Sequence, residues 1–290
     1  MDTGPLLLFQ VVNGVVWGLV IALIALGLAL IFGILEVINV AHGSLYMLGA
    51  VLGWYVLETT GSFWAALAVA PVAVGVLSMA MERVILRPVE NEKILTIIAT
   101  TGILLILQHS VLATFGGGVQ RIPNPVPGAV SLLGIRYPTY RLLVAAFSLC
   151  TIGLLWLFLT RTRWGLWLRA VRQDARMATA LGIRISRVYM LAVGLGGFLA
   201  ALGGVLAAPM VVIQYQMGFD ILATTFIVVV IGGFGSLFGA AAVAVLLGVL
   251  EGVTSVFTTP TWARIVSLLV MSAILLARPE GIFRAPKAMR

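Results

Sequence analysis

The chain is a succession of apolar runs, most of them close to the ~20 residues that a membrane-crossing helix needs. Charged residues make up only 10% of its 290 residues, whereas 61% are hydrophobic. A soluble domain of this length does not carry so few charges, and the runs lack the alternation of a membrane β-barrel. The sequence therefore predicts an all-α polytopic membrane protein with one transmembrane domain over residues 1–290. The runs cover 5–32, 64–86, 94–115, 142–159, 188–208, 219–231, 240–257 and 265–277.

The basic residues indicate how the chain is oriented. Fourteen of the eighteen Lys and Arg residues lie in three segments, 82–93, 161–187 and 278–290. Short loops rich in Lys and Arg stay on the cytoplasmic side of a membrane. We therefore predict an external N-terminus and a cytoplasmic C-terminus, with about eight or nine membrane segments that include broken or re-entrant helices. The run 219–231 is short for a span, so the sequence leaves open whether 219–235 crosses the membrane or is re-entrant.

The most basic segment, 161–187, holds seven arginines and one aspartate between two apolar runs. Within it, Leu166 to Leu181 is rich in good helix formers, and Gly182 stands where a helix commonly ends in the left-handed conformation. Residues at three- and four-residue spacing give this helix a modest apolar face: Trp167, Ala170, Val171, Ala178 and Leu181. We predict a short cytoplasmic helix over about 165–182 that docks on a soluble partner. The alternative is a solvated loop that only anchors its neighbours.

Two glycine-containing stretches place polar groups or exposed backbone at membrane depth, where both are costly unless they border a cavity. The first contains Asn39, His42, Gly43 and Ser44, which we predict to line a substrate pathway. For His42 the structural alternative is that it satisfies backbone groups freed by a turn at Gly43. The second stretch, 232–236, supplies three further pathway candidates, which are Gly233, Gly235 and Ser236.

One carboxylate, Glu251, lies within an apolar run. Ionisable residues inside membrane helices face the bundle interior or a partner rather than lipid. We therefore predict that Glu251 faces the bundle or a second subunit, and one possible role is to pair with a substrate ammonium group.

Small residues four apart predict close helix approach in two places. One face carries Gly14, Gly18 and Ala22, and another carries Ala192, Gly196, Ala200, Gly204 and Ala208. The tetrapeptides at 43–46 and 235–238 also resemble each other, which raises the possibility of a repeated broken helix.

Several function classes lack the residues that they need. A GxxxxGK[ST] loop, a GxSxG elbow and an HExxH pair are all missing from the sequence. An intramembrane enzyme needs a nucleophile and a base at matching depth, and a stand-alone channel or secondary carrier would need more ionisable groups at mid-membrane. We predict no catalytic residue, no metal site and no nucleic-acid partner. The net charge of +8 follows from the basic loops and favours contact with anionic lipid.

Five motifs follow one another along nearly the whole chain: INVAHGSLYMLGA (38–50), ERVILRPV (82–89), RAVRQDARMATALGI (169–183), VVVIGGFGSLFGA (228–240) and RPEGIF (278–283). In these motifs and their order, the chain resembles the LivH-type permease subunits of bacterial ABC importers for branched-chain amino acids. The resemblance implies half of a transmembrane pathway in the bacterial inner membrane. It also implies four kinds of partner: a homologous LivM-like permease, two cytoplasmic ABC ATPases, a periplasmic substrate-binding protein and membrane lipid.

ATP and Mg²⁺ would then bind the ATPases, and this chain would hold no cofactor. The resemblance makes 169–183 the coupling helix in an ATPase cleft and 278–290 a cytoplasmic tail. Its coupling residues would be Arg169, Ala170, Arg172, Asp174, Ala178, Leu181 and Gly182. The implied substrates are branched-chain or other hydrophobic amino acids, and the alternatives are urea, short amides and small organic acids. Whether the permease pair is a heterodimer or a homodimer stays open.

Overall fold

A computed structural model describes residues 3–90, 92–132, 135–278 and 281–283. The predicted tail 278–290 lies mostly outside these residues. The helices in chain order are α1 (Thr3–Leu35), α2 (His42–Thr60), α3 (Phe63–Met81), α4 (Arg87–Val89), α5 (Lys93–Phe115), α6 (Thr139–Arg161), α7 (Arg163–Gln173), α8 (Ala175–Ala180), α9 (Ile185–Ala207), α10 (Met217–Gly232), α11 (Leu237–Phe257) and α12 (Pro260–Ala277).

Within the described residues, seven helices are long and apolar enough to cross a membrane. They are α1, the α3–α4 unit, α5, α6, α9, α11 and α12. The prediction of an all-α polytopic membrane protein is therefore confirmed. The count of eight or nine segments and the orientation of the termini stay predictions. The short apolar run forms α10, whose 16 residues extend about 24 Å, less than the ~30 Å of a hydrocarbon core.

The two ends of the bundle differ in chemistry. At one end, which we call the basic end, lie α4, α7 and α8, and Lys93 Nζ lies 4.0 Å from Glu36 Oε2. At the opposite end, the hairpin end, strands β1 (Ala129–Leu132) and β2 (Ile135–Pro138) form an antiparallel pair. Helix α1 connects the two ends, because Phe9 contacts the hairpin residue Tyr137 and Leu35 lies beside α4.

Small residues bring the central helices into close contact, as predicted. A Cβ atom added to Gly18 of α1 would lie 2.7 Å from Val245 Cα in α11. One added to Gly196 of α9 would lie 2.9 Å from the carbonyl oxygen of Gly27. Helices α1 and α9 are consequently the most buried of the candidate spans and form the centre of the bundle.

Two local features stand out from the succession of helices. The segment 116–138, between α5 and α6, contains the β1–β2 hairpin. A π-helical turn, Glu82–Leu86, continues α3 into α4, which contains Pro88. Pro88 directly follows this π-helical turn, in which the Arg87 amide bonds back to the Glu82 carbonyl five residues earlier rather than four.

Candidate functional site

The first polar stretch forms a break deep inside the bundle. Residues 36–41 are not helical, and α2 begins at His42 beside the middle of α1. Its second residue, Gly43, contacts Gly218, the second residue of α10, and a Cβ on Gly218 would lie 3.1 Å from Ser44 Cα. From this α2–α10 junction, α2 runs toward the hairpin end and α10 toward the basic end.

The side chains at this junction are fully buried, and three of their polar atoms lack a hydrogen-bond partner among the described residues. His42 Nε2 donates to the Ile24 carbonyl at 2.9 Å, which agrees with the structural alternative and leaves Nδ1 unpaired. Asn39 Oδ1 accepts from the Ala41 amide at 3.1 Å, while its Nδ2 and the Ser44 hydroxyl are unpaired. Buried polar atoms are normally paired, so the junction retains unused hydrogen-bonding capacity.

The second stretch lies at the basic end, between α10 and α11. Gly235 has a φ of +77°, and a Cβ there would lie 3.3 Å from Gly33 Cα and 3.0 Å from Arg172 Nη2. Gly233 contacts the Phe283 backbone, and Ser236 caps α11 by accepting the Gly239 amide. Ser236 precedes its helix whereas Ser44 lies inside one, so the two similar tetrapeptides do not occupy equivalent positions.

The expected single helix over 165–182 is wrong in one respect, because it is broken at Asp174. Asp174 ends α7 with extended backbone, and its carboxylate accepts the Met177 amide at 2.9 Å, which caps α8. A carboxylate suits this position because the first amides of a helix have no helical acceptor. Gly182 adopts the predicted left-handed conformation, with φ +83°. We call residues 163–182 the coupling segment.

The apolar face of the coupling segment also differs from the prediction. Leu168, which the spacing argument omitted, is 2% exposed and packs toward the spans together with Val171 and Ala178. Leu181 was placed on this face, but it is 74% exposed, and Met177 is exposed beside it. Leu181 follows the last residue of α8, where the chain turns at Gly182, so it does not continue the inward face of Ala178.

Two arginines of the coupling segment, Arg169 and Arg172, line a cavity of about 190 Å³ together with Gly33, Trp156 and Gly235. The Arg172 guanidinium lies beside Gly235. Burial lowers the pKa of this guanidinium from its ordinary value. An arginine side chain nevertheless stays charged at neutral pH, because its ordinary pKa is very high. Arg172 therefore links the coupling segment to the turn between α10 and α11.

Glu251 lies elsewhere, toward the hairpin end, in a cavity of about 220 Å³ that we call the charged pocket. Within the described residues, Glu251 forms neither a hydrogen bond nor an ion pair within 4.0 Å. Arg264 of α12 lines the same pocket and donates to the Asp220 carbonyl at 2.8 Å. The remaining lining contains a second carboxylate, Asp220, and residues that are mostly apolar or aromatic: Trp17, Ile21, Tyr46, Val211, Val212, Gln214, Met217, Ile221 and Thr224.

The sequence thus predicted one charged residue of the pocket, Glu251, but not the opposite charge, Arg264. Arg264 was not among the predicted site residues. A usable signal was present, since α11 and α12 are joined by the two residues Thr258 and Thr259. Two antiparallel helices joined by so short a connection place residues at similar distances from it at a similar depth. Glu251 and Arg264 are such a pair, and their charges are opposite.

These features define a multi-pass membrane protein with a basic connecting segment and buried polar side chains between its helices. Residues 10–275 match the family model described as "Branched-chain amino acid transport system / permease component". The chain belongs to this family. As a permease of this kind it has a transport role, and such permeases work with ATPase and substrate-binding partners.

Named relatives agree over nearly the full length. The chain is 30% identical to the high-affinity branched-chain amino acid transport system permease protein LivH of Salmonella typhimurium, and 31% identical to LivH of Escherichia coli K12. It is 29% identical to BraD, the corresponding permease protein of Pseudomonas aeruginosa. Each alignment covers 96% of both chains. No solved structure matches.

Proposed function

We propose that this chain is one half of the transmembrane pathway of an ABC importer for branched-chain amino acids in a bacterial inner membrane. The observation that carries the proposal is the match to permease relatives over 96% of the chain. The second half would be a homologous LivM-like permease. Two cytoplasmic ATPases would bind ATP and Mg²⁺, and a periplasmic binding protein would deliver the substrate. A heterodimeric pair is the arrangement we expect.

In this proposal the basic end faces the cytoplasm, because loops rich in arginine stay inside. The coupling segment then docks in an ATPase cleft through its outward side, which carries Met177 and Leu181. Leu168 and Ala178 hold the segment to the spans from the inward side. An exposed leucine and methionine in water support a docking role, since apolar side chains gain free energy when a partner covers them.

Transport follows from two arrangements of the complex. ATP closes the ATPase dimer, the docked segments move with it, and the helices re-pack to open the pathway to the other side. ATP does this only through its different affinity for the two arrangements. Close contacts at glycine allow the helices to slide at short range. Examples are Gly18 of α1, which contacts α11, and Gly196 of α9, which contacts α1.

The pathway in this proposal runs from the charged pocket toward the α2–α10 junction. Tyr46 lines the pocket and follows His42 by one helical turn, and Met217 lines it and directly precedes Gly218. Tyr46 and Met217 thus form the floor of the charged pocket, on the side of the α2–α10 junction. The unpaired atoms of Asn39, His42 and Ser44 would lie beneath this floor and bind a substrate as it passes. These atoms are fully buried in the structure.

The docking test is Leu181→Asp in a complex purified through a tag on this chain. We expect the ATPases to be lost from the complex, because a carboxylate cannot enter an apolar cleft without a large desolvation penalty. The matched control is Val119→Asp, which makes the same kind of change at a residue that is 58% exposed near the hairpin end. Full retention of the ATPases by Leu181→Asp, with normal ATP-driven leucine uptake in proteoliposomes, would contradict the proposed docking.

A stand-alone channel or carrier makes a different prediction. If the purified chain alone moved leucine down its gradient at the rate of the whole complex, the ABC importer assignment would be wrong. An importer for urea, amides or small organic acids would instead show ATP-driven uptake of those compounds and none of leucine.

A further inference from the structure

The charged pocket is lined by two carboxylates, those of Glu251 and Asp220, and by one guanidinium, that of Arg264. Glu251 lies six residues before the end of α11, about 9 Å along the helix, and Arg264 lies about 6 Å after the start of α12. Both residues line the cavity, and within the described residues no ion pair joins them. Ionisable residues at such depth are costly and usually mark a binding or transport site.

The pocket also has an apolar part next to these charges. Trp17 and Ile21 of α1 and Met217 and Ile221 of α10 line the same cavity as Glu251. Its volume of about 220 Å³ equals roughly seven water molecules at ~30 Å³ each. An occupant therefore has to be small and partly apolar, and it has to carry both a positive and a negative group.

We propose that the charged pocket is a binding subsite for the zwitterionic end of an α-amino acid. Glu251 accepts hydrogen bonds from the α-ammonium group, and Arg264 donates to the α-carboxylate in the forked geometry that suits carboxylates. The apolar wall takes the aliphatic side chain. This inference rests on the proposed function, because it names the way in which that substrate is held.

The arrangement explains why Arg264 is fixed where it is. Its Nη2 donates to the Asp220 carbonyl at 2.8 Å, which ties the guanidinium to the first turn of α10. Nη2 also donates to the Thr224 hydroxyl at 3.5 Å, so the Nε and Nη1 N–H groups are the ones that remain available for a ligand. Asp220 also lines the pocket and adds a second carboxylate, so a cation is the competing ligand and has to be included in the test.

The experiment uses the complete permease–ATPase complex in detergent without the binding protein, and saturation-transfer NMR with leucine as the probe. We expect Glu251→Gln and Arg264→Gln each to weaken leucine binding about tenfold, which corresponds to ~1.4 kcal/mol. Matched controls are Glu58→Gln and Arg136→Gln, the same changes at exposed residues that do not line the pocket. These controls should bind leucine as the wild type does.

Two analogues distinguish binding from a structural role. Leucinamide lacks the carboxylate, and 4-methylpentanoate lacks the ammonium group. The wild type should prefer leucine to 4-methylpentanoate about tenfold, and Glu251→Gln should remove this preference while the preference over leucinamide remains. Arg264→Gln should show the converse. A structural role for either residue would weaken all three compounds equally.

The proposal is overturned if leucine does not bind the wild-type complex, if either variant binds it normally, or if leucinamide binds more tightly than leucine. It is also overturned if both variants dissociate from the second permease, because the charges would then serve assembly. ATP-driven leucine uptake by the wild-type complex is measured separately in proteoliposomes with the binding protein. Its absence contradicts the proposed function, whereas normal uptake with unchanged binding by the variants contradicts only the subsite.

Discussion

The contact between α1 and α11 gives the sharpest stability prediction, because it is made at a glycine and faces backbone. A methyl group added at Gly18 would lie 2.7 Å from Val245 Cα and 2.8 Å from the Ala244 carbonyl oxygen. Carbon atoms prefer a separation of ~3.5–4.0 Å. Backbone atoms in a helix cannot rotate away as a side chain can, so Gly18→Ala has to move the two helices apart by about 1 Å.

The size of the effect follows from the contacts that this movement weakens. A gap of 0.5–1 Å removes a quarter to a half of the ~0.1–0.2 kcal/mol in each atom pair. About twenty such pairs along the interface would lose ~0.5–2 kcal/mol in total, which overlaps the ~1–3 kcal/mol typical of overpacked sites. A loss of about 2 kcal/mol lowers the thermal midpoint of a chain of about 150–250 residues by about 4–8 °C.

The measurement is the thermal midpoint of the purified permease complex, determined by size-exclusion chromatography of samples heated to increasing temperatures. The control is Gly153→Ala, the same substitution in the middle of α6, where no atom lies within 4 Å of the added methyl group. We expect the control to keep or slightly raise the midpoint, since alanine favours a helix more than glycine does. Equal midpoints for the two variants would refute the reasoning from close backbone contact.

Two smaller predictions concern the basic end. Asp174→Ala removes the cap of α8, which contributes ~1 kcal/mol of local stability. Hydrogen exchange of the amides in 175–180 should therefore accelerate about fivefold. Asp174→Asn should keep slow exchange, because asparagine caps equally well. Lys93→Ala should leave the thermal midpoint unchanged, because the ion pair with Glu36 is exposed and such pairs contribute ~0–1 kcal/mol. A fall of more than 5 °C in the Lys93 variant, or equal exchange in both Asp174 variants, would contradict these two expectations.

The sequence was sufficient for features that depend on local chemistry or on helical spacing. The left-handed conformation at Gly182 and the small-residue contacts of Gly18 and Gly196 were all predicted and are all present. These features are readable because only one residue type fits the requirement. Glycine alone lacks the Cβ that would collide at Gly18 or strain the backbone at Gly182.

Features that depend on contacts between distant segments were not predictable. Gly43 was identified as a possible break, but its contact with Gly218 joins residues 175 positions apart, and no spacing rule connects them. The break at Asp174 was missed for another reason. Aspartate is only moderately unfavourable within a helix, and the residues after it lack the Glu or Gln that would complete a recognisable capping box.

Helix α10 connects the two parts of the molecule that the proposed function requires to communicate. At the basic end, the turn after it touches Arg172 of the coupling segment through Gly235. At its other end, Met217 forms part of the charged pocket and Gly218 contacts Gly43 of α2. Because a helix of 16 residues resists compression along its hydrogen-bonded axis, a displacement of the coupling segment that moves this turn also moves the pocket floor. The short, incompletely spanning helix is therefore the element best placed to change the shape of the pocket when the ATPases close.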